Sequence, residues 1–166
     1  REENIDTEAN FFNLMNAVNA MAEKYDMPIL YSCHPRSKKF IEQRGFRFDP
    51  RVIQHQPLGF HDYNHLQMNA FAVVSDSGTL PEESSFFLSV GNPIPAVCIR
   101  TSTERPEALE AGTVKLVGTN YDKIVAEVSE LLDNKTHYEQ MSKAVNPYGD
   151  GKACERIVDF LRKQMK

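Results

Sequence analysis

The sequence has no apolar run that approaches the roughly 20 residues needed to cross a bilayer. It also lacks internal repeats and low-complexity tracts. Its hydrophobic, aromatic and charged fractions, 41%, 10% and 25%, are close to the averages of globular proteins, which disfavours disordered, collagen-like and coiled-coil structures. There is no basic surplus either, because 19 Lys and Arg stand against 23 Asp and Glu, a formal net charge of -4. We therefore expect no membrane segment and no nucleic-acid binding, and any anion site must be local.

Cysteine is scarce, and its spacing is informative. Cys33, Cys98 and Cys154 form an odd set, lie far apart and stand in or beside apolar runs. This pattern favours buried thiols in a reducing compartment over a disulfide framework. The histidines have no zinc-like spacing, so we expect no metal site. Because the N-terminus also lacks a charged-then-apolar secretory pattern, we expect a cytoplasmic protein.

The composition is that of one soluble domain with a real core. The chain has 166 residues, of which 41% are hydrophobic and 25% charged. Short β-rich runs alternate with segments whose apolar residues recur at helical spacing. This alternation predicts parallel strands joined by right-handed crossovers, a doubly wound, Rossmann-like α/β sheet in a single domain at 1–166. The predicted helices are 7–25, 37–44, 61–69, 80–90, 121–132, 135–144 and 153–161, and the predicted strands are 29–33, 52–54, 71–74, 94–99 and 113–117.

The turn SDSGTLPEE at 75–83 follows the clearest strand and leads into a helix. Ligands of open α/β sheets bind beyond the carboxyl ends of the strands. Gly78 lets a ligand approach the backbone, and the first amides of the helix lack intrahelical partners, which attracts phosphate. The alternative is a plain turn in which Asp76, Ser77 or Thr79 caps the helix.

Charged residues accompany this turn and the exit of the next strand. Glu82 and Glu83 suit the positive end of the helix dipole but repel a phosphate placed beside them. A carboxylate can instead accept two hydrogen bonds from a ribose diol, so phosphate at the turn and ribose one helical turn later fit a nucleotide. Arg100 and Arg105 follow the next strand and are placed to clamp an anion, the alternative being a solvated loop.

Three common motifs are missing. The sequence has no Walker lysine motif, no G-x-G-x-x-G fingerprint and no G-x-S-x-G elbow. These absences disfavour a P-loop nucleotidase, a dinucleotide oxidoreductase and an α/β hydrolase.

Several blocks together resemble one family. The turn at 75–83, TERPEA at 103–108 and EAGTVKLVG at 110–118 resemble the C-terminal half of the non-hydrolysing UDP-N-acetylglucosamine 2-epimerases. NPYGDGKA at 146–153 and REEN at 1–4 are also similar, so the likeness covers essentially the whole chain. It implies two Rossmann-like domains in the glycosyltransferase-B arrangement, with a UDP-sugar in the cleft. The chain would be the second domain of a homodimeric isomerase that needs no cofactor.

The resemblance also implies roles for the residues around the turn. Ser77, Gly78 and Thr79 would hold the UDP diphosphate, and Arg105 would contact a phosphate or the adjoining sugar. Glu83 would accept hydrogen bonds from the ribose hydroxyls.

Farther from the turn, the resemblance implies that Leu58 and Tyr63 lie along the uracil. Arg1 and His34 would lie at the cleft, although a histidine before proline is more often a turn or core residue. The family's catalytic histidine would directly precede Arg1, and its catalytic carboxylates belong to the first domain. We therefore expect no catalytic residue in this chain, and no activity from the chain alone.

One departure from the family pattern bears on the substrate. Family members commonly have two glycines in the turn, whereas here Thr79 follows Gly78 and precedes Leu80 and Pro81. This variant resembles the branch that acts on UDP-N-acetyl-6-deoxyhexosamines in capsule synthesis. Two other functions remain open, the nucleotide-binding domain of a UDP-sugar glycosyltransferase and a non-catalytic UDP-sugar sensor.

Overall fold

The structure is a computed structural model that describes residues 4–145 and 147–165. Helices and short strands alternate along the chain, and within the described ranges no helix has the length and apolarity that a bilayer span requires. In chain order the elements are α1 (Glu8–Tyr25), β1 (Ile29–Ser32), α2 (Pro35–Gln43), β2 (Val52–His55), α3 (Phe60–Met68), β3 (Val73–Ser75), α4 (Leu80–Ser89), β4 (Ala96–Cys98), α5 (Pro106–Ala111), β5 (Val114–Leu116), α6 (Tyr121–Asp133), α7 (Lys135–Ser142) and α8 (Ala153–Gln164).

All strand pairs in the described residues are parallel, as predicted. They form two hydrogen-bonded groups, β1 with β2, and β3 with β4 and β5 in that order. Both groups contribute to the largest apolar cluster, which contains Cys33 just after β1, Val97 of β4 and Phe11 of α1. The two groups of strands therefore share one core, although no hydrogen-bonded ladder joins them into one sheet within residues 4–145 and 147–165.

Helix α1 shows why the periodic segments were predictable. Its N-cap Thr7 accepts a hydrogen bond from the Asn10 amide at 3.2 Å, and its buried face contains Phe11, Leu14 and Met15. Apolar side chains at this spacing lie on one side of a helix, which here packs beside α6. Burial of that face fixes the helix onto the sheet.

Helix α5 lies where the sequence analysis predicted no helix. It has six residues, begins at Pro106 and ends before Gly112, which adopts a left-handed conformation with φ of 78°. Proline at the first helical position and glycine just after the last are typical helix boundaries. Six residues are too few to show a helical period, so the helix gave no periodic signal.

The prediction that all three cysteines are buried is wrong for one of them. Cys33 and Cys98 are buried, whereas Cys154 is exposed on α8. None of the residues of α8 is buried in this structure, although its apolar residues follow a helical period. Periodicity predicted the helix correctly but carried no information about what covers it.

A second, smaller apolar cluster positions the start of α4. Leu80, the first residue of α4, packs with Ala96 and Cys98 of β4 and with Val114 of β5. Leu80 is 1% exposed. The N-terminus of α4 is therefore held against the sheet at the carboxyl edge of β3 and β4.

Candidate functional site

Two parallel strands end side by side at the candidate site. Ser75, the last residue of β3, is in register with Cys98, the last residue of β4. The Ile99 amide then donates a hydrogen bond to the Ser75 carbonyl at 3.0 Å. The turn after β3 and the segment after β4 therefore leave the same edge, as the parallel arrangement predicts.

The turn before α4 is accessible. Gly78 and Thr79 are exposed, and Ser77 is half-buried. Thr79 occupies the N-cap position, but its side chain makes no capping hydrogen bond. The Ser77 hydroxyl instead accepts a hydrogen bond from the Thr79 amide at 3.3 Å. Solvent therefore reaches the positive end of α4, where an anion is favoured.

Arg105 reaches this end of α4 from the neighbouring segment. Its Nε donates a hydrogen bond to Glu82 Oε1 at 2.5 Å. This hydrogen bond raises the pKa of Arg105, and the negative charge of Glu82 raises it further. Tyr148 shares these surroundings: burial raises its pKa to about 12, and the charges of Glu107 and Glu82 act in the same direction. Arg105, the first turn of α4 and Tyr148 thus form one group.

A second guanidinium, that of Arg100, is buried close to Gly78 of the turn. Arg100 is only 3% exposed, and its Nη2 donates a hydrogen bond to Glu104 Oε1 at 2.9 Å. A Cβ atom at Gly78 would lie 3.5 Å from Arg100 Nη1. The sequence analysis offered Arg100, together with Arg105, as a clamp for an anion, and it did not predict that Arg100 is buried and paired with Glu104.

Glu83 lies at the centre of a hydrogen-bonded group. Its Oε1 accepts a hydrogen bond from Thr79 Oγ1 at 2.6 Å, and its Oε2 accepts one from Gln67 Nε2 at 2.9 Å. Burial raises the pKa of the Tyr63 phenol, and the negative charge of Glu83 raises it further. Tyr63, Thr79 and Glu83 are therefore brought together. The sequence analysis predicted no role for Gln67, which lies four residues after Tyr63 on α3.

Among the described residues, no hydrogen bond or ion pair joins Leu58 or His34 to this group. Leu58, in the segment before α3, is 39% exposed. His34 is the N-cap of α2, and its Nδ1 accepts a hydrogen bond from the Arg36 amide at 3.3 Å. Arg1 lies outside the described residues.

Asn4 ties the beginning of the described chain to this edge. Its amide donates hydrogen bonds to Asp76 Oδ2 at 3.1 Å and to the Ile99 carbonyl at 3.2 Å. The side chain is 6% exposed. The sequence analysis used Asn4 only as part of the resemblance and did not predict these contacts.

A parallel α/β domain with an accessible helix N-terminus and two arginines at one strand edge has the layout of a nucleotide-binding domain. The family model described as UDP-N-acetylglucosamine 2-epimerase matches residues 1–162. The chain therefore belongs to the UDP-N-acetylglucosamine 2-epimerase family.

Two curated relatives show the extent of the similarity. The UDP-N-acetylglucosamine 2-epimerase of Campylobacter jejuni is 37% identical over 156 residues, which are 92% of this chain and 39% of that protein. The enzyme of the same name from Escherichia coli K12 is 44% identical over 139 residues, which are 82% of this chain and 35% of that protein. The chain thus spans well under half the length of these relatives.

Solved structures of the same family have the same fold over nearly the whole of this chain. The S. aureus MnaA–UDP co-structure matches 99% of this chain and 44% of its own, with a TM-score of 0.85 and 34% identity. The Methanocaldococcus jannaschii UDP-GlcNAc 2-epimerase in complex with UDP-GlcNAc and UDP matches 98% of this chain and 43% of its own, with a TM-score of 0.81 and 31% identity. The predicted fold class, an α/β half of a glycosyltransferase-B-type enzyme, is confirmed.

Proposed function

We propose that residues 1–166 form a single Rossmann-like UDP-binding domain, the C-terminal half of a UDP-N-acetylhexosamine 2-epimerase. The observation that carries this proposal is the meeting of the exposed turn at 77–79 with Arg105 at the N-terminus of α4. These two elements supply backbone amides and a guanidinium on one side, which is what a diphosphate requires. The relatives' names and the UDP in two matching structures agree with this ligand class.

In this proposal Ser77, Gly78 and Thr79 hold the diphosphate together with Arg105. The exposure of Gly78 and Thr79 supports the role, because solvent reaches the backbone just before the buried first helical residue, Leu80, and the Thr79 side chain makes no capping hydrogen bond. Arg105 exchanges its contact with Glu82 for a contact with the ligand. The carboxylate thus occupies the guanidinium when no anion is bound.

The nucleoside would extend from the turn toward α3. Glu83 accepts the ribose hydroxyls, and Tyr63 with Leu58 lies along the uracil. Helix α3, which carries Tyr63, contacts Glu83 through the hydrogen bond from Gln67 Nε2 at 2.9 Å, and this contact supports the order. For Arg1 and His34 we propose only a position at the cleft between the two domains, without a specific contact to the nucleotide.

The proposed reaction is inversion at C2 of the sugar. A base removes the C2 proton, the electron pair forms the C1–C2 double bond, and the C1–O bond breaks with UDP as the leaving group. Return of a proton to the opposite face of C2 and re-addition of UDP at C1 complete the inversion. This chain would stabilise the charge on the leaving diphosphate. The acid and base would come from an N-terminal catalytic domain outside this chain.

The proposal extends to the sugar substrate, the cell compartment and the oligomeric state of the complete protein. The turn with Thr79, Leu80 and Pro81 supports a UDP-N-acetyl-6-deoxyhexosamine as substrate and a role in bacterial surface polysaccharide synthesis. We place the protein in the cytoplasm, which its two buried thiols support, and we propose that the complete protein is a homodimer.

Exchange of the C2 hydrogen in D2O, followed by proton NMR, tests this function. The complete protein should incorporate deuterium at C2 of a UDP-N-acetylhexosamine and form its C2 epimer, with the 6-deoxy substrate turned over faster than UDP-N-acetylglucosamine. The 166-residue chain alone should do neither and should bind UDP weakly or not at all. Turnover by the chain alone, or UDP release that depends on an acceptor sugar, would contradict the proposal.

A further inference from the structure

Both oxygens of the Glu83 carboxylate are held by side chains of this chain. Thr79 Oγ1 donates to Oε1 at 2.6 Å from the turn, and Gln67 Nε2 donates to Oε2 at 2.9 Å from α3. Gln67 is only 5% exposed, so its amide has exchanged water for this partner. Hydrogen bonds to a charged acceptor are among the stronger ones in proteins, and a buried donor loses much if its acceptor is removed.

The end of α3 is held firmly enough to serve as a support. One residue after Gln67, the Met68 carbonyl accepts a hydrogen bond from Asn92 Nδ2 at 2.7 Å, just beyond the end of α4. The last turn of α3 is therefore tied to the α4 region at two points, the Glu83 carboxylate and Asn92. The Gln67 amide has a fixed position from which to orient Glu83.

We propose that Gln67 is a positioning residue for ribose recognition. This inference rests on the proposed role of Glu83 and extends it to a residue for which the sequence indicated no role. A carboxylate offers about four lone-pair directions. Thr79 and Gln67 use one direction on each oxygen, which leaves one on each oxygen for the two neighbouring hydroxyls of a ribose. The Gln67 contact fixes the rotation of the carboxylate that presents these two acceptors together.

The chemistry of position 67 makes this role specific. A neutral amide donates a hydrogen bond to Glu83 without neutralising its negative charge, whereas a carboxylate at position 67 would repel Glu83. Methionine has a similar length and volume but no donor, so Gln67→Met removes the hydrogen bond and leaves the site filled.

The test compares UDP with 2′,3′-dideoxy-UDP as ligands of the complete protein, by isothermal titration calorimetry. We expect the unmodified protein to prefer UDP by about ten-fold or more, as charged hydrogen bonds to the diol imply. Gln67→Met should bring this preference close to one and leave the affinity for dideoxy-UDP within about two-fold of the unmodified value. Gln140→Met, which changes an exposed glutamine of α7, is the matched control and should alter neither affinity.

The outcomes separate this inference from the function on which it rests. Gln67 does not position Glu83 if the Gln67→Met protein keeps the preference for UDP, or if its affinity for both ligands falls by the same factor. Either result overturns the inference, while the proposed function stands. If the unmodified protein binds both ligands equally, the ribose contact of Glu83 is itself overturned, and the inference with it. Should Gln67→Met not fold, Gln67→Asn, which keeps the amide but shortens its reach, carries the same expectation.

Discussion

Arg105 and Glu82 are joined by a hydrogen bond from Nε to Oε1, although they lie 23 positions apart in the sequence. The contact brings the segment after β4 to the first turn of α4. It also gives the guanidinium an internal anion at the place where we propose that a diphosphate binds. In the proposed function, the Glu82 carboxylate would therefore compete with the diphosphate for Arg105.

Replacement of Arg105 should weaken nucleotide binding. We expect Arg105→Ala in the complete protein to reduce UDP affinity about ten- to a hundred-fold, because hydrogen bonds to a charged group contribute about 1.5–3 kcal/mol. Arg162→Ala is a suitable control, since its side chain is 75% exposed on α8. Equal affinities of the two variants for UDP would show that Arg105 does not contact the ligand.

Replacement of Glu82 should have the opposite effect. Glu82→Gln keeps the size of the side chain but removes the charge that competes for Arg105 and repels phosphate. We expect UDP affinity to rise by about two- to five-fold, since partly exposed ion pairs contribute up to about 1 kcal/mol. A fall in affinity, measured by the same titration, would mean that Glu82 supports the ligand instead of competing with it.

Two glycine variants should separate ligand approach from folding. A Cβ atom at Gly78 would make an ordinary contact of 3.5 Å with Arg100 Nη1, so Gly78→Ala should change the free energy of unfolding by less than about 0.5 kcal/mol. The added methyl group would nevertheless occupy the exposed surface where phosphate approaches, and UDP affinity should fall at least about ten-fold.

Gly112→Ala is the counterpart. Gly112 has φ of 78°, so alanine there should cost about 1–2 kcal/mol of unfolding free energy in urea titrations. UDP affinity below the unfolding transition should not change. A large loss of stability in Gly78→Ala, or a stable Gly112→Ala, would contradict the backbone geometry at these positions.

The thiols should react in two classes. Burial raises the pKa of Cys33 and of Cys98, which lowers their thiolate fraction, whereas Cys154 is exposed. In the native 166-residue chain near pH 8, Ellman's reagent should modify one thiol rapidly and the other two slowly. Cys154→Ser should abolish the fast phase, and a fast phase that survives this change would contradict the structure.

Stability should fall in alkali. Burial raises the pKa of Tyr31 to about 12, above its ordinary value of 10.0. The neutral phenol is favoured in the folded state, so its contribution is complete below about pH 10 and is lost as the pH rises toward 12. Tyr31→Phe, which keeps the ring beside Phe48, should make the unfolding free energy less dependent on pH between 10 and 12. An unchanged slope in urea titrations would contradict the burial of this phenol.

Much of the fold could be predicted because its signals are local. Thr7 precedes an apolar helical stripe in α1, and the strand-to-helix turn at 75–83 has a recognisable composition. Parallel strands then require the turn and Arg105 to leave the same edge. This part of the site follows from connectivity.

The remaining part of the site depends on tertiary packing. The burial of Arg100 is invisible in a stretch that reads as a hydrophilic loop. The contact between Gln67 and Glu83 joins residues on two helices, and nothing in either helix's own period specifies the pairing. Short α5 was missed because its proline and glycine boundaries enclose fewer than two turns.

A crystal structure of the complete protein with UDP tests the central claim most directly. The account predicts the pyrophosphate within hydrogen-bonding distance of the backbone amides at 78–80 and of the Arg105 guanidinium, with Arg105 released from Glu82. A pyrophosphate bound at any other edge of the domain, with the Arg105–Glu82 contact intact, would contradict it.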